Sequence, residues 1–138
     1  MTLKTYGLPA FVADRATMNT FGTGVQIDFS KFTDAKYGVA GKRRIPAGTV
    51  IEPVTDVGAP AYLCGPASGT AGKLALLLKT DAEEDSKVDA HTGYGAFAAG
   101  VVYETLLPDA SGAPRVLSAA LKTQLGARWT FMKYEDKR

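Results

Sequence analysis

The sequence predicts a mainly β fold, a small and irregular β domain of the β-clip kind, with one or two short α-helices and an extended N-terminal arm. Segment 24–30 alternates apolar and polar side chains, which is the period of a half-buried strand. Pro46 fixes its φ angle and Gly48 tolerates positive φ, so the two residues predict a tight turn before the β-branched strand residues 49–51. The apolar run 74–78 suits a strand buried on both faces.

Further elements follow in chain order. Short strands are predicted at 61–64, at 95–103 with close packing or a bulge at Gly100, and at 128–134, whose alternation places Trp129 in the core. The helix is predicted from Pro114 to Leu125, with Gly126 ending it. Its apolar face would comprise Leu117, Ala120, Leu121 and Leu125. Polar loops are expected over 31–44, 65–72 and 80–92.

Residues 1–21 show no sustained period, and we therefore separate them as an N-terminal arm from a single β-rich domain at residues 22–138. Two interpretations remain open for the arm. It either becomes ordered against a partner, including as a strand added to another subunit's sheet, or it covers its own domain. The apolar side chains that the arm could offer to a partner are Leu3, Tyr6, Leu8, Phe11, Val12 and Phe21.

Composition excludes several classes of partner. The net charge of +2 is too small to predict binding to nucleic acid or to an anionic membrane. The first residues lack the apolar segment of a signal peptide, and the run 74–78 is too short to span a bilayer. Cys64 is the single cysteine and cannot form an internal disulfide. We therefore expect a protein made in a cytoplasm, with no nucleic-acid or membrane partner.

No catalytic pattern emerges from the sequence. The 67–73 loop resembles a phosphate-binding loop, but Leu74 follows its lysine where that motif needs Ser or Thr. His91 beside Asp89 is a common chance pairing, and one Cys with one His cannot form a zinc site. The acidic residues 81–85 lack calcium-loop spacing, although a weak cation site stays open. We expect no enzymatic activity, no cofactor and no metal.

The order of four motifs resembles the lambda-type family of head decoration (capsid-stabilising) proteins of tailed bacteriophages, especially those from phages of actinobacteria. The motifs are Gly22–Asp28, Arg44–Ile51, Gly72–Leu78 and Gly100–Pro108, and the likeness extends over residues 20–134. Each motif alone is loose, and their order and spacing carry the resemblance.

This resemblance implies a β-clip-like domain that sits as a homotrimer on the outer surface of the capsid in the virion. Its partners would be the major capsid protein and two further copies of itself, and its arm would add strand pairing to the capsid shell. The function implied is stabilisation of the expanded head by clamping neighbouring capsid subunits. The acidic loop 80–92 departs from the family pattern.

Two alternatives remain from the sequence. The turn at 45–51 is also similar to the β-clip domains of antifreeze-like and sialic-acid-synthase C-terminal modules, and this second resemblance supports the fold more than the function. The hypothesis that it leaves open is a small β-clip module that binds a ligand such as a carbohydrate. In that hypothesis Tyr62 and Trp129 could stack on a ligand, although Trp129 is expected in the core. The other alternative is a different virion component, such as a tail or head-completion protein.

Overall fold

The computed structural model describes residues 9–22, 24–56, 58–59, 62–84, 93–113 and 115–133. Its strands are β1 (Val12–Thr20), β2 (Gln26–Ile27), β3 (Arg44–Ile45), β4 (Val50–Pro53), β5 (Leu63–Pro66), β6 (Leu76–Leu78), β7 (Ala82–Glu83), β8 (Ala96–Tyr103) and β9 (Trp129–Met132). The helix α1 spans Ala119–Leu125, and single 3-10 turns span Phe29–Lys31, Ala35–Tyr37 and Glu104–Leu106. The prediction of a mainly β fold with a short helix is confirmed.

The main sheet has the strand order β1-β8-β6-β4-β5-β2, and β9 also pairs with β8. The β2–β5 and β8–β9 pairs are parallel, whereas the remaining pairs of this sheet are antiparallel. Strands β3 and β7 form a separate two-stranded sheet. This second sheet contains part of the polar segment 80–92, whose residues 85–92, including His91, lie outside the described residues.

Alternation along the strands divides the buried residues between the two faces of the main sheet. In β6, Leu77 points to one face, whereas Leu76 and Leu78 point to the other. The helix-side core lies under α1 and consists of Phe11, Val50, Ala75, Leu77, Phe97, Val102, Leu107, Ala110, Leu117, Leu125 and Trp129. The turn-side core lies under the first two 3-10 turns and consists of Val25, Ile27, Phe32, Tyr37, Ile45, Ile51, Cys64, Leu76, Leu78, Ala82 and Ala96.

Two predicted elements differ from the structure by more than two residues at a boundary. The strand expected over 24–30 is only two residues long, because the Asp28 carboxylate accepts the Ser30 N–H at 3.1 Å and begins a 3-10 turn. The helix begins at Ala119 rather than near Pro114, because the Ser118 hydroxyl accepts the Leu121 N–H at 3.2 Å and caps it there. Its end at Gly126, with φ of +80°, is as predicted.

The N-terminal segment differs most from the expectation. From Pro9 onward the chain packs on its own domain, and β1 pairs with β8 inside the main sheet. Residues 9–21 are therefore part of the domain in the structure, and the predicted boundary at residue 21 does not mark the end of an arm there. The interpretation of a covering segment applies to residues 9–21, and residues 1–8 lie outside the described residues.

Candidate functional site

Phe11 fixes the point at which the N-terminal segment joins the domain. Its side chain is only 3% exposed and meets Phe97 edge to face, with 6.3 Å between ring centroids. The Tyr103 N–H donates to the Phe11 carbonyl oxygen at 2.7 Å. Gly48, whose φ is +90°, leaves room for this ring, because a Cβ there would lie 3.0 Å from Phe11 Cε1. The turn predicted at Pro46 and Gly48 thus packs directly against the ring of Phe11.

Strand β1 contains a wide bulge. Six residues, from Asp14 to Asn19, lie opposite the three residues of β8 from Val101 to Ala99. The Thr17 hydroxyl closes the bulge, because it donates to the Asp14 carbonyl oxygen at 2.8 Å and accepts the Val101 N–H at 3.0 Å. This bulge interrupts the outer edge of the sheet and makes continuous pairing with another strand unfavourable there.

Gly100 makes the bulge possible from the opposite strand. Its φ is +153°, and a Cβ at this position would overlap Met18 Sδ. The close packing or bulge predicted at Gly100 is therefore present, and its cause is the approach of Met18 to the β8 backbone.

Phe11 and the last residues of β9 lie at the same end of the sheet, on either side of Tyr103. Tyr103 pairs with Met132 of β9 on one side and receives Phe11 on the other. Neighbouring strands lie about 4.8 Å apart, so Phe11 and Met132 are separated by about two strand spacings. Met132 is 48% exposed, and Leu106, in the 3-10 turn that follows β8, is 37% exposed. We call this end of the molecule, with Pro9, Tyr103, Leu106, Met132 and Lys133, the chain-end surface.

The structure does not bring the six predicted arm residues into one surface. Phe11 is buried in the helix-side core and Val12, which begins β1, is half-buried at its margin. Phe21 follows the other end of β1 and packs against the turn-side core. Leu3, Tyr6 and Leu8 lie outside the described residues. The aromatic ring of Phe11 is buried in the core and therefore does not contribute to a surface that binds a partner.

Sequence reasoning missed two buried carboxylates. Glu52 accepts hydrogen bonds from the Ser68 N–H and, at 3.2 Å, from Gln124 Nε2, while Lys73 Nζ lies 3.5 Å from its second oxygen. Burial alone would raise the pKa of Glu52, but these donors together hold that pKa below its usual value. The Gln124 amide oxygen also accepts the Gly69 N–H at 2.7 Å, so the network connects α1 to the loop after β5.

Glu104 connects the other end of α1 to the domain. Its Oε1 accepts the Leu117 N–H at 2.9 Å and lies 2.5 Å from Lys122 Nζ. Lys122 also lies over the ring of Phe131, 5.5 Å from its centroid. Each carboxylate accepts hydrogen bonds and pairs with a lysine, and both thereby link α1 to the rest of the domain.

A polar cleft of about 400 Å³ lies between the 3-10 turns and the start of α1. Its wall carries the Lys36–Asp109 ion pair, at 3.2 Å, and Asp109 also accepts the Val50 N–H at 2.7 Å. Lys31 and Ser68 continue the lining into a neighbouring cavity of about 240 Å³. The lining contains two lysines, Lys31 and Lys36, and two aspartates, Asp34 and Asp109, so it presents no excess of either sign to a ligand.

The other predicted residues have simple structural positions. Trp129 is buried, as expected, whereas Tyr62 is exposed. Cys64 is buried, and burial raises the pKa of its thiol to about 12. The loop that resembles a phosphate-binding loop leads into β6 and not into a helix. Among the described residues, no group of three or more His, Cys, Asp or Glu side chains has the arrangement of a metal site.

Comparisons with models of protein families, with curated proteins and with solved structures each find no match to this chain. Within the part of the chain that the structure describes, no helix has the length and apolar character needed to cross a membrane.

Proposed function

We propose that this protein binds the outer surface of an expanded bacteriophage head and stabilises it by clamping neighbouring major capsid protein subunits. The proposal begins with the resemblance of the sequence to lambda-type head decoration proteins. The observation that carries it is the chain-end surface, where Leu106 and Met132 are exposed at the end of the sheet at which Phe11 is bonded to Tyr103. An irregular, mainly β domain with a short helix is also what the resemblance implies.

In this proposal residues 1–8 make the main contacts with the capsid, and the packing of Phe11 anchors them to the sheet. Leu3, Tyr6 and Leu8 fill pockets on the capsid while the backbone around them pairs with a capsid strand. Because Phe11 is held in the helix-side core, a pull on the segment is transmitted to the sheet through Phe97 and Tyr103. Leu106 and Met132 add apolar contact beside the segment.

The free energies explain why several copies would act together. Burying one large apolar side chain contributes about 2 kcal/mol. Fixing the backbone of each residue of the segment on the capsid costs about 1–2 kcal/mol, so one eight-residue segment binds weakly. A homotrimer presents three segments at a high effective concentration, and this converts a weak contact into stable attachment.

The direct test is cosedimentation of the full chain with expanded heads assembled from the major capsid protein of a phage that carries this gene. The full chain should bind and should raise the temperature at which the heads lose integrity. A variant with Leu3→Ser, Tyr6→Ser and Leu8→Ser should lose at least about tenfold in affinity, and its thermal unfolding midpoint, measured beside that of the parent, separates a loss of contact from a loss of folding.

Val39→Ser provides the matched control. Val39 is 69% exposed, follows the second 3-10 turn and is not among the residues that define the chain-end surface, so its replacement should leave binding unchanged. Absence of binding by the full chain would contradict the proposed function. Equal binding by the triple variant would contradict the role given to residues 1–8 while leaving the chain-end surface to be tested by Met132→Ser.

A further inference from the structure

The outer edges of the main sheet differ in how well they are protected. Strand β1 is bulged between Asp14 and Asn19, and β2 has only two residues before a 3-10 turn begins at Phe29. Strand β9 has neither feature, because it pairs with β8 in continuous parallel register over all four of its residues. Among the described residues no further strand pairs with β9, so its second edge is open.

Phe131 presents its backbone to this open edge. The Gly100 N–H donates to the Arg128 carbonyl oxygen at 3.2 Å, and this bond fixes the alternation along β9. Thr130 and Met132 therefore direct their N–H and C=O groups toward β8, whereas Phe131 directs both of its own away from β8. The two Phe131 groups are thus positioned to bond to an added strand.

The side chains around this edge determine which kind of strand fits it. Met132 is 48% exposed, and Thr130 is exposed beside it on the same face of β9. Arg128 and Lys133, which lie at the two ends of β9, are exposed and have no ion pair among the described residues. The edge therefore has two unpaired cationic ends with an apolar side chain between them.

These properties discriminate between three possible occupants. A second copy that paired through its own β9 would contribute four strand residues, whereas a stable interface takes about 20–30 residues from each partner. Residues 1–8 of the chain contain Lys4 and no acidic residue, so they would add a like charge to the edge. An extended segment with acidic residues at both ends would bond to the Phe131 backbone and also pair with Arg128 and Lys133.

We propose that the open edge of β9 binds an extended, acidic peptide segment of a partner protein by strand addition. Bonds to the Phe131 backbone supply affinity, Met132 packs beside an apolar side chain of the segment, and the two cationic ends select carboxylates. The inference goes beyond the proposed capsid binding. It shares Met132 and Lys133 with the chain-end surface, but it does not depend on residues 1–8 and is tested without heads.

NMR titration of the isotope-labelled full chain with acetyl-Glu-Val-Thr-Val-Thr-Glu-amide tests the edge. In the free chain the Phe131 amide should exchange with solvent faster than the amides of Thr130 and Met132, which bond to β8. The peptide at millimolar concentration should shift the Phe131 amide resonance and slow its exchange. The matched peptide with lysine in place of both glutamates should bind at least about fivefold more weakly, because two attractive pairs become repulsive.

A charge reversal in the protein gives the converse test. Arg128→Glu combined with Lys133→Glu should reverse the preference, so that the lysine peptide binds more tightly than the glutamate peptide. Lys42→Glu, at an exposed lysine in the loop before β3, should leave the preference unchanged. The proposal is overturned if the Phe131 amide is already protected in the free chain, if neither peptide shifts it, or if the charge reversal leaves the preference as it was. None of these outcomes alters the cosedimentation test of capsid binding.

Discussion

The helix-side face of the sheet is covered by α1 and by loops that Glu52 and Glu104 hold in place, whereas the turn-side face is covered by apolar and aromatic side chains of the 3-10 turns. The turn-side core has its own titratable groups, Tyr37 and Cys64, but burial raises the pKa of each, so both stay uncharged at neutral pH. The helix-side face thus depends on the buried carboxylates of Glu52 and Glu104, whereas the carboxylates on the turn side, Asp81 and Glu84, bind only at its margin in the β3–β7 sheet. The difference predicts that the two faces respond in opposite ways to pH.

The largest effect is expected from the turn-side core. Phe32 is fully buried and meets Tyr37 edge to face at 5.1 Å, so Phe32→Ala should lower the free energy of unfolding by about 3–5 kcal/mol. Urea unfolding at pH 7 measures this loss, with exposed Val39→Ala as a control that should cost little. A loss no larger than that of the control would mean that the 3-10 turns do not form this core.

The next effect is expected on the helix side. Glu104→Gln removes a charged acceptor from the Leu117 N–H and from Lys122, which should lower the free energy of unfolding by about 2 kcal/mol. Amide hydrogen exchange should become faster in α1 and remain unchanged in β5. Exposed Glu83, in β7, supplies the matched control as Glu83→Gln. Equal losses for the two variants would contradict the assignment of Glu104 as the group that holds the helix.

The pH profile of stability sharpens the comparison. The folded-state pKa of Glu52 lies below the ordinary value of 4.5, so its contribution is present above that pH and is lost as pH falls through the lower, folded pKa. The parent should lose stability below about pH 4.5, and Glu52→Gln should reduce this acid loss. Thermal unfolding between pH 2 and pH 7 measures it. An unchanged acid limb in the variant would contradict the role of Glu52.

The loss of stability at alkaline pH, the alkaline limb of the profile, should come from the titratable groups of the turn-side core. A raised pKa means that stability is present below the unfolded value, 10.0 for Tyr37, and is lost as pH rises toward the folded pKa. Tyr37→Phe should therefore reduce the loss of stability above pH 10 and leave the acid limb as it is. A change confined to the acid limb would reverse our assignment of the two faces.

The smallest effect concerns Cys64. Because burial raises the pKa of its thiol to about 12, almost no thiolate is present at pH 7. The Cys64 thiol of native protein should therefore react with iodoacetamide far more slowly than the thiol of protein unfolded in urea. Mass spectrometry of both samples gives the two rates, and similar rates would contradict the burial of Cys64 in the turn-side core.

The sequence patterns predicted the elements whose burial or boundary is determined by residues close together in the chain. Alternation identified Val25 and Ile27 as buried, the continuous apolar run identified the leucines of β6, and Gly126 ends the helix as expected. The strand β1 escaped detection because its bulge at 14–19 destroys the period of two. The helix start was placed too early because Pro114 suited a first turn, whereas the hydroxyl of Ser118 determines where α1 begins.

The candidate sites depend on contacts that are distant in sequence. Glu52 meets Gln124 across 72 positions, and no local pattern marks either residue as buried. Phe11 was predicted as a residue for binding a partner, but its position beside Phe97 places it in the core. The strand β9 was open to sequence reasoning, whereas its pairing with β8, which leaves Phe131 at an open edge, was not.

The most direct test of the proposed function is an electron cryomicroscopy reconstruction of expanded heads incubated with the full chain. We predict density for the domain on the outer surface, with the chain-end surface toward the capsid and with residues 1–8 continuing from Pro9 along a capsid strand. Heads without such density, or with the chain-end surface facing solvent, would contradict the account.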